Sequence, residues 1–327
     1  YWVDLDNPYI TFTNDYIETL WWCLSELYKK GLLYESVSIQ PYSPAAGTGL
    51  SSHELNQPST YKDVKDTSAT VLFKLQDKDK IGLQEIKSDV FLMAWTTTPW
   101  TLPSNLGLSV GAHIDYVLVK TYNPYTFELQ YVVLAKSLLH AYFKEEVQNS
   151  DFENYQPGDK LIPWQMIKQF KGNELEGLRY EQLLPTEASS IEEIHKITPG
   201  ADPFKIVVAD FVTTQDGTGI VHTAPAFGAD DFKAGKKNNL GILTLVDKEG
   251  KFIDGMGEWS GRYVKDYKDD PHYTDVNIDI CVQLKKEGRA FKVEKYEHNY
   301  PHCWRTDKPI IYYPLDDWFI KTTAAKE

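Results

Sequence analysis

Cysteine is scarce in this sequence. Cys23, Cys281 and Cys303 are the only three in 327 residues, and they form no CxxC pair. An odd, scattered set excludes a disulfide framework and a cysteine-based zinc site, and it fits a reducing, cytoplasmic setting. No apolar run is long enough to span a membrane. No secretory leader is visible, because the chain opens Tyr1-Trp2-Val3-Asp4 with an acidic residue where a basic region would stand. It does not begin with Met and closes on Lys326-Glu327 soon after a strand-like run, so both ends read as cuts inside a longer protein. Positive charge is short as well: 34 Lys and Arg against 47 Asp and Glu leave a net charge of −13. That balance counts against a protein whose main task is gripping nucleic acid. Gly-rich phosphate loops of either standard spacing are missing.

What is present is an ordinary globular composition, 42% hydrophobic and 25% charged, in a length that suits one large domain or two ordinary ones. Asn14 to Gly31 reads as a helix with Asn14 as N-cap and Ile17, Leu20, Trp21, Leu24 and Leu27 on one face. Leu32 to Gln40 alternates as a strand and leads into the turn-rich stretch 41–49. From Ser68 the chain is strand-rich, with β-type runs at Ala69–Leu75, Val90–Trp95, Tyr116–Lys120, Tyr131–Ala135, Phe204–Val208 and Gly219–His222. Helical pieces are expected at Lys136–Lys144, Ala229–Asn239 and Val276–Glu287, and further strands at Ala290–Tyr300 and Ile310–Ile320. The pattern predicts an α/β (α+β) fold. A β-rich body carries surrounding helices and is flanked by two terminal arms whose strands can pair with each other.

Two strings concentrate chemistry. In Ala94-Trp-Thr-Thr-Thr-Pro-Trp-Thr-Leu-Pro-Ser-Asn105, three threonines end a hydrophobic strand that Pro99 stops. Such an end leaves hydroxyls and backbone N–H groups outside the sheet, free to bind an ester carbonyl or a ribose hydroxyl. Threonine is also simply a good strand former, which accounts for any one of the three but poorly for the whole string. In Asp216-Gly-Thr-Gly-Ile-Val-His-Thr-Ala-Pro-Ala-Phe-Gly-Ala-Asp-Asp231, Gly217 and Gly219 permit positive φ or close backbone approach, and His222 ends a short strand. Asp230 and Asp231 open a helix, where carboxylates suit the N-terminal dipole. Helix capping suffices for Asp230, whereas Asp231 suits the α-ammonium group of a ligand. His222 is as well explained by a hydrogen-bonded core histidine as by a functional one. A Thr–His–Asp nucleophilic arrangement is one catalytic option. Against it, a threonine hydroxyl is a poor nucleophile and nothing in the sequence sets His222 beside one. Lys171 to Tyr180 reads as a turn plus edge strand with no catalytic role. His298 and His302 near Cys303 lack a second cluster, so no metal is expected.

At these two strings the chain resembles the editing insertion (connective polypeptide 1) of isoleucyl-tRNA synthetases, which are class I aminoacyl-tRNA synthetases. Related segments of the valyl and leucyl enzymes typically read TTRP, so Thr98 before Pro99 points to the isoleucyl branch. The resemblance covers most of the chain. Asp6-Asn-Pro-Tyr-Ile10 with Trp21-Trp22 is similar to the approach from the catalytic domain. Tyr300-Pro-His-Cys-Trp-Arg305 and Trp318-Phe319 are similar to the return. Tyr42-Ser-Pro44, Leu50-Ser51-Ser52 and Tyr61-Lys62-Asp63-Val64 resemble the eukaryote-like branch. Ala45-Ala46-Gly47 stands where many bacterial members have a cysteine pair, which speaks against zinc there. The HIGH-type and KMSKS-type motifs of aminoacylation are absent.

The resemblance implies a connector at 1–60, a β-barrel-like editing domain at 61–289 and a returning connector at 290–327. It implies that Thr96, Thr97 and Thr98 contact the scissile ester and the terminal adenosine. Trp100 would wall the pocket, Asn105 would touch substrate or water, His222 would exclude isoleucine, and Asp231 would hold the α-ammonium, with Thr223 and Ala224 beside them in the substrate site. Hydrolysis in this family is thought to use a positioned water. The implied substrate is the 3′ end of tRNA(Ile) carrying valine, and in addition valyl-adenylate. The implied partners are the remaining domains of a monomeric cytoplasmic synthetase. No cofactor is expected in this segment, since ATP and Mg belong to the parent enzyme's other site. One methylene in an apolar pocket is worth only about 1–3 kcal/mol, a limit for which telling isoleucine from valine is itself the established example, so a second, smaller sieve is needed. The acidic charge is compatible with this role if other domains hold most of the tRNA. A non-catalytic module that binds aminoacyl-nucleoside, and a purely structural insertion, are the competing expectations.

Overall fold

The strand-rich stretch closes on itself in the computed structural model, which describes every residue except Tyr1, Val3, Leu5, Asn7, Lys326 and Glu327. Asn7 of the opening resemblance therefore lies outside the described residues. In chain order the helices are α1 (Asn14–Lys29), α2 (Ser52–Leu55), α3 (Ile191–Ile197), α4 (Ala229–Lys237) and α5 (Val276–Lys286). The strands are β1 (Leu33–Ser43), β2 (Thr48–Gly49), β3 (Tyr61–Lys74), β4 (Val90–Thr96), β5 (Gly107–Val110), β6 (Asp115–Tyr122), β7 (Leu129–Ala135), β8 (Trp164–Lys171), β9 (Lys205–Val208), β10 (Ile220–Thr223), β11 (Ala290–Pro301) and β12 (Ile311–Ile320).

Residue packing divides the chain into two units, 1–38 with 314–327, and 39–313. In the first, α1 has no buried side chain, and Trp21 and Trp22 are exposed. Its N-cap is Thr13 rather than Asn14, which forms the first helical turn instead. Tyr34 stacks on Phe319 at 5.9 Å between ring centres.

The second unit holds the site. There β3 runs antiparallel to β4, β4 parallel to β10, β10 antiparallel to β5, and β5 parallel to β9. The ring closes through residues 177–181. Arg179 bridges Lys205 of β9, and Tyr180 bridges Leu75 just beyond β3. Glu181 N–H donates to the Lys74 carbonyl and Ile206 N–H to the Leu178 carbonyl, at 2.8 and 2.9 Å. The stretch read as a turn plus edge strand is thus the piece that shuts the barrel. Closure leaves no unpaired edge between β3 and β9.

The first half of β4 pairs instead with β7, and β6 and β8 extend this wing. Leu72, Met93, Val117, Val132, Leu134, Trp164 and Phe291 pack into one apolar cluster beneath it. Each such side chain contributes about 1.5–3 kcal/mol when fully buried. The architecture is therefore α/β, as the pattern implied, and barrel-like, as the resemblance implied. Several elements differ in detail. Lys136–Ala141 is a 3-10 turn rather than a longer helical piece, and β5 and β8 were not visible as strands.

Candidate functional site

The two strings meet at the rim of the barrel because β4 and β10 are parallel neighbours, with Val221 opposite Trp95. Both strands therefore deliver their C-terminal ends to the same side. Beyond Thr96 the chain turns into the 3-10 helix Pro99–Ser104, with Pro99 in its first turn, where a missing N–H costs nothing. Asn277 of α5 pins this turn by accepting from Trp100 N–H at 2.9 Å. Beyond Thr223 the chain turns into α4, which opens with Asp230 and Asp231.

Between them lies a cavity of about 390 Å³ lined by Trp95, Thr96, Thr97, Thr98, Thr101, residues 215–222, Ala224, Phe227 and Asp231, together with Phe211 and Thr213. Its volume falls in the range of small-ligand sites. Gly217 and Gly219 both have φ of +74°, and a side chain at Gly219 would come within 2.4 Å of Ala135. At Gly217 the missing side chain lets the loop lie against the Trp95 ring. Among the described residues no lysine or arginine lines the cavity, and its titratable groups are Asp216, His222 and Asp231.

Asp231 is half-buried at the start of α4 and accepts Ala224 N–H at 2.9 Å through one oxygen. It has no ion pair among the described residues, whereas its neighbour Asp230 pairs with Lys233. Desolvation raises its carboxyl to about 6, partly offset by the Ala224 bond, with a further push from Asp230. This is a carboxylate held in a cavity with no cation of its own.

The threonines have distinct settings. Thr96 accepts Thr98 N–H at 3.0 Å, and the Thr96 and Thr98 hydroxyls are 3.3 Å apart, so these two shape the loop. Thr97 lines the cavity and makes no hydrogen bond to a described residue.

His222 is 7% exposed and neutral, with burial pulling its imidazole down to about 4. Its ring nitrogens are both engaged, Nδ1 with Asn105 Nδ2 at 2.8 Å and Nε2 with Thr101 Oγ1 at 3.0 Å. Asn105 Nδ2 also donates to the Gly107 carbonyl, which fixes the amide's orientation, so Nδ1 must be the acceptor and Nε2 must carry the proton. Thr101 passes its own hydrogen to the Thr98 carbonyl at 2.8 Å. With no free lone pair, His222 does not act as the base of a threonine triad.

Three expected site residues stand behind the cavity rather than in it. Asn105 is 2% exposed, spends its polar atoms on His222, Gly107 and Tyr180, and does not line the cavity. Trp100 packs edge-on against Phe227, which lines the cavity in its place, because the 3-10 turn directs the indole inward. Thr223 faces Ser109 across the sheet at 2.7 Å and is fully buried. Conversely, Thr101 and Tyr180 belong to the constellation although neither stood out in the sequence. Thr101 sat inside the first string, and Tyr180 joins only through barrel closure. Among the described residues no group of three or more His, Cys, Asp or Glu side chains stands together as a metal site. His298 instead contacts Asp66 at 3.2 Å, and His302 the Tyr300 carbonyl. No helix among the described residues is long and apolar enough to cross a membrane.

The family described as tRNA synthetases class I (I, L, M and V) matches residues 1–327, and the chain belongs to it. Within that family it is similar to isoleucine–tRNA ligases: 51% identical to that of Cytophaga hutchinsonii and 50% to that of Porphyromonas gingivalis, each over the whole of this chain. The chain spans 30% of the length of those two relatives. The isoleucine–tRNA ligase of Clostridium tetani is 41% identical, and the chain spans 26% of it. Among solved structures, the GlLeuRS-CP1 crystal structure aligns with 71% of this chain and all of its own, at 12% identity and a TM-score of 0.43. The P. knowlesi cytosolic leucyl-tRNA synthetase editing domain aligns with 70% of this chain and 97% of its own, at 12% and 0.43.

Proposed function

We propose that this chain is the proofreading part of an isoleucyl-tRNA synthetase and hydrolyses the ester of valine mischarged on tRNA(Ile), and in addition valyl-adenylate. The observation that carries the reading is Asp231, a desolvated carboxylate in a cavity that no lysine or arginine among the described residues lines. An α-ammonium group supplies the missing charge, and charge-assisted hydrogen bonds of this kind are among the strong ones. With the amino group at Asp231, the ester in this reading lies toward Thr96–Thr98, which line the same cavity. Thr97 then offers its uncommitted hydroxyl to the carbonyl or the adenosine, and Thr96 and Thr98 hold the loop that presents it. His222, locked neutral, walls the side-chain end and excludes isoleucine by size. Water is the nucleophile, because the site offers no histidine able to activate a threonine.

The segment 61–289 is the editing module in this reading, and 1–60 and 290–327 lead from and to the remaining domains of a monomeric cytoplasmic enzyme. ATP and Mg act in those domains. The −13 charge suits a module that handles the 3′ end alone while other domains hold the tRNA body.

A second reading, an aminoacyl-nucleoside binding module without turnover, draws on the same engaged His222. The test is ester loss from Val-tRNA(Ile) with the wild-type chain and Asp231→Ala, alongside binding of a non-hydrolysable valyl-adenosine analogue. Turnover that disappears in the variant supports editing. Tight analogue binding with no turnover at high protein concentration supports the second reading and overturns the first.

A further inference from the structure

We propose that Tyr180 and Asn105 are positioning residues that hold His222 as the Nε2–H tautomer, so that the strand closing the barrel governs the protonation pattern of the cavity wall. The proposal deepens the editing reading, on which its functional meaning rests.

Tyr180 is 1% exposed, and its hydroxyl is 2.7 Å from Asn105 Oδ1, an atom that only accepts, so the phenol donates. The Gly107 carbonyl likewise only accepts, so Asn105 Nδ2 faces it at 2.8 Å and turns its other hydrogen to His222 Nδ1. The direction then propagates without choice: His222 Nε2–H to Thr101 Oγ1, and Thr101 O–H to the Thr98 carbonyl. Rotating the Asn105 amide by half a turn would set Oδ1 against the Gly107 carbonyl and Nδ2 against the tyrosine hydroxyl. The Gly107 carbonyl opposes the flip directly, and the Tyr180 hydroxyl, which could accept from Nδ2, opposes it by losing the acceptor of its own hydrogen. Without the Tyr180 hydroxyl that second restraint is gone. The flipped amide accepts from Nδ1–H, and the histidine changes tautomer. Nε2 then accepts from Thr101, whose side-chain bond to the Thr98 carbonyl is lost, while the backbone bond from Thr101 N–H to that carbonyl at 3.0 Å remains.

Tyr180 stands 75 residues from Asn105 in the chain and reaches it only because residues 179 and 180 bridge β9 and the end of β3. Around His222, the titratable groups are Tyr180 behind Asn105, and Asp216 and Asp231 in the cavity lining. Among the described residues no lysine or arginine lines the cavity to repel a second ring proton. Asn105→Asp would therefore place an acceptor-only carboxylate against Nδ1 and draw a proton there.

The experiment is nitrogen-15 NMR of the full chain labelled in histidine, with the His222 ring signals assigned from His222→Gln. The expected wild-type spectrum shows an unprotonated Nδ1 and a protonated Nε2, unchanged from about pH 5 to about pH 8. Tyr180→Phe should show a mixture of the two tautomers, and Asn105→Asp should protonate both nitrogens below neutrality. An Nδ1–H tautomer in the wild type overturns the proposal. So does a Tyr180→Phe or an Asn105→Asp spectrum identical to wild type. Because the spectrum reads ring protons and not ester loss, it stands or falls separately from the editing reading.

Discussion

Asn105 donates through Nδ2 to Nδ1 of His222 at 2.8 Å, and that bond turns a residue expected to touch substrate into one that holds the wall behind it. Asn105→Ala would take away the side-chain partners of the Tyr180 hydroxyl and His222 Nδ1. Each unsatisfied buried group costs about 1–3 kcal/mol. The expected outcome is a destabilised chain in urea unfolding, together with lower editing.

Asp231 predicts a pH dependence with a definite sign. Its folded carboxyl titrates near 6 against 3.8 for an ordinary aspartate. The folded state therefore binds more protons than the unfolded state between those values, and stability falls as pH rises through that window. The difference corresponds to at most about 3 kcal/mol. Asp231→Asn should remove this slope and be the more stable protein at pH 7, while differing little near pH 4. Ester hydrolysis by the wild type should rise with pH as Asp231 ionises around 6. Parallel urea curves at the two pH values check the first expectation, and kcat/KM against pH checks the second.

Gly228 predicts a defect that acts through its neighbour. Its φ of −151° suits any residue, but a side chain there would meet the Asp231 carboxyl group at 3.0–3.1 Å. Gly228→Ala should keep the fold, displace that carboxylate and lower editing. Gly219→Ala differs, because φ is +74° and Ala135 stands 2.4 Å from the new carbon. It should destabilise by more than about 1 kcal/mol. Thermal unfolding of both variants separates the two effects.

Thr97 and Thr96 should part in the same way. Thr97 makes no hydrogen bond to a described residue, so Thr97→Ala should change stability by less than about 0.5 kcal/mol while lowering hydrolysis. Thr96→Ala loses the bond from Thr98 N–H and should alter both. Equal effects on stability would contradict the division of roles.

Much of the site was legible because it is written in two contiguous strings. Thr96–Thr98, His222, Ala224 and Asp231 all reach one cavity, and the parallel pairing of β4 with β10 brings the strings together. What the strings do not encode is the direction in which side chains point after a turn. Pro99 starts a 3-10 helix, and that helix carries Trp100 and Asn105 inward, so neither lines the cavity. Tyr180 was illegible for a different reason: its contact exists only once the barrel closes. The fold shows the same pattern. Strongly alternating or apolar runs such as β4, β6 and β7 were read close to their limits. The mostly exposed β8 and the four-residue β5 lacked the alternation that marks a strand.

The central claim is a second sieve, and the most direct test compares ester loss from Val-tRNA(Ile) and Ile-tRNA(Ile) with this chain at high concentration. The account predicts that valine is released, isoleucine is retained, and Asp231→Ala abolishes the release. Equal loss of both esters, or valine loss that survives Asp231→Ala, would contradict it.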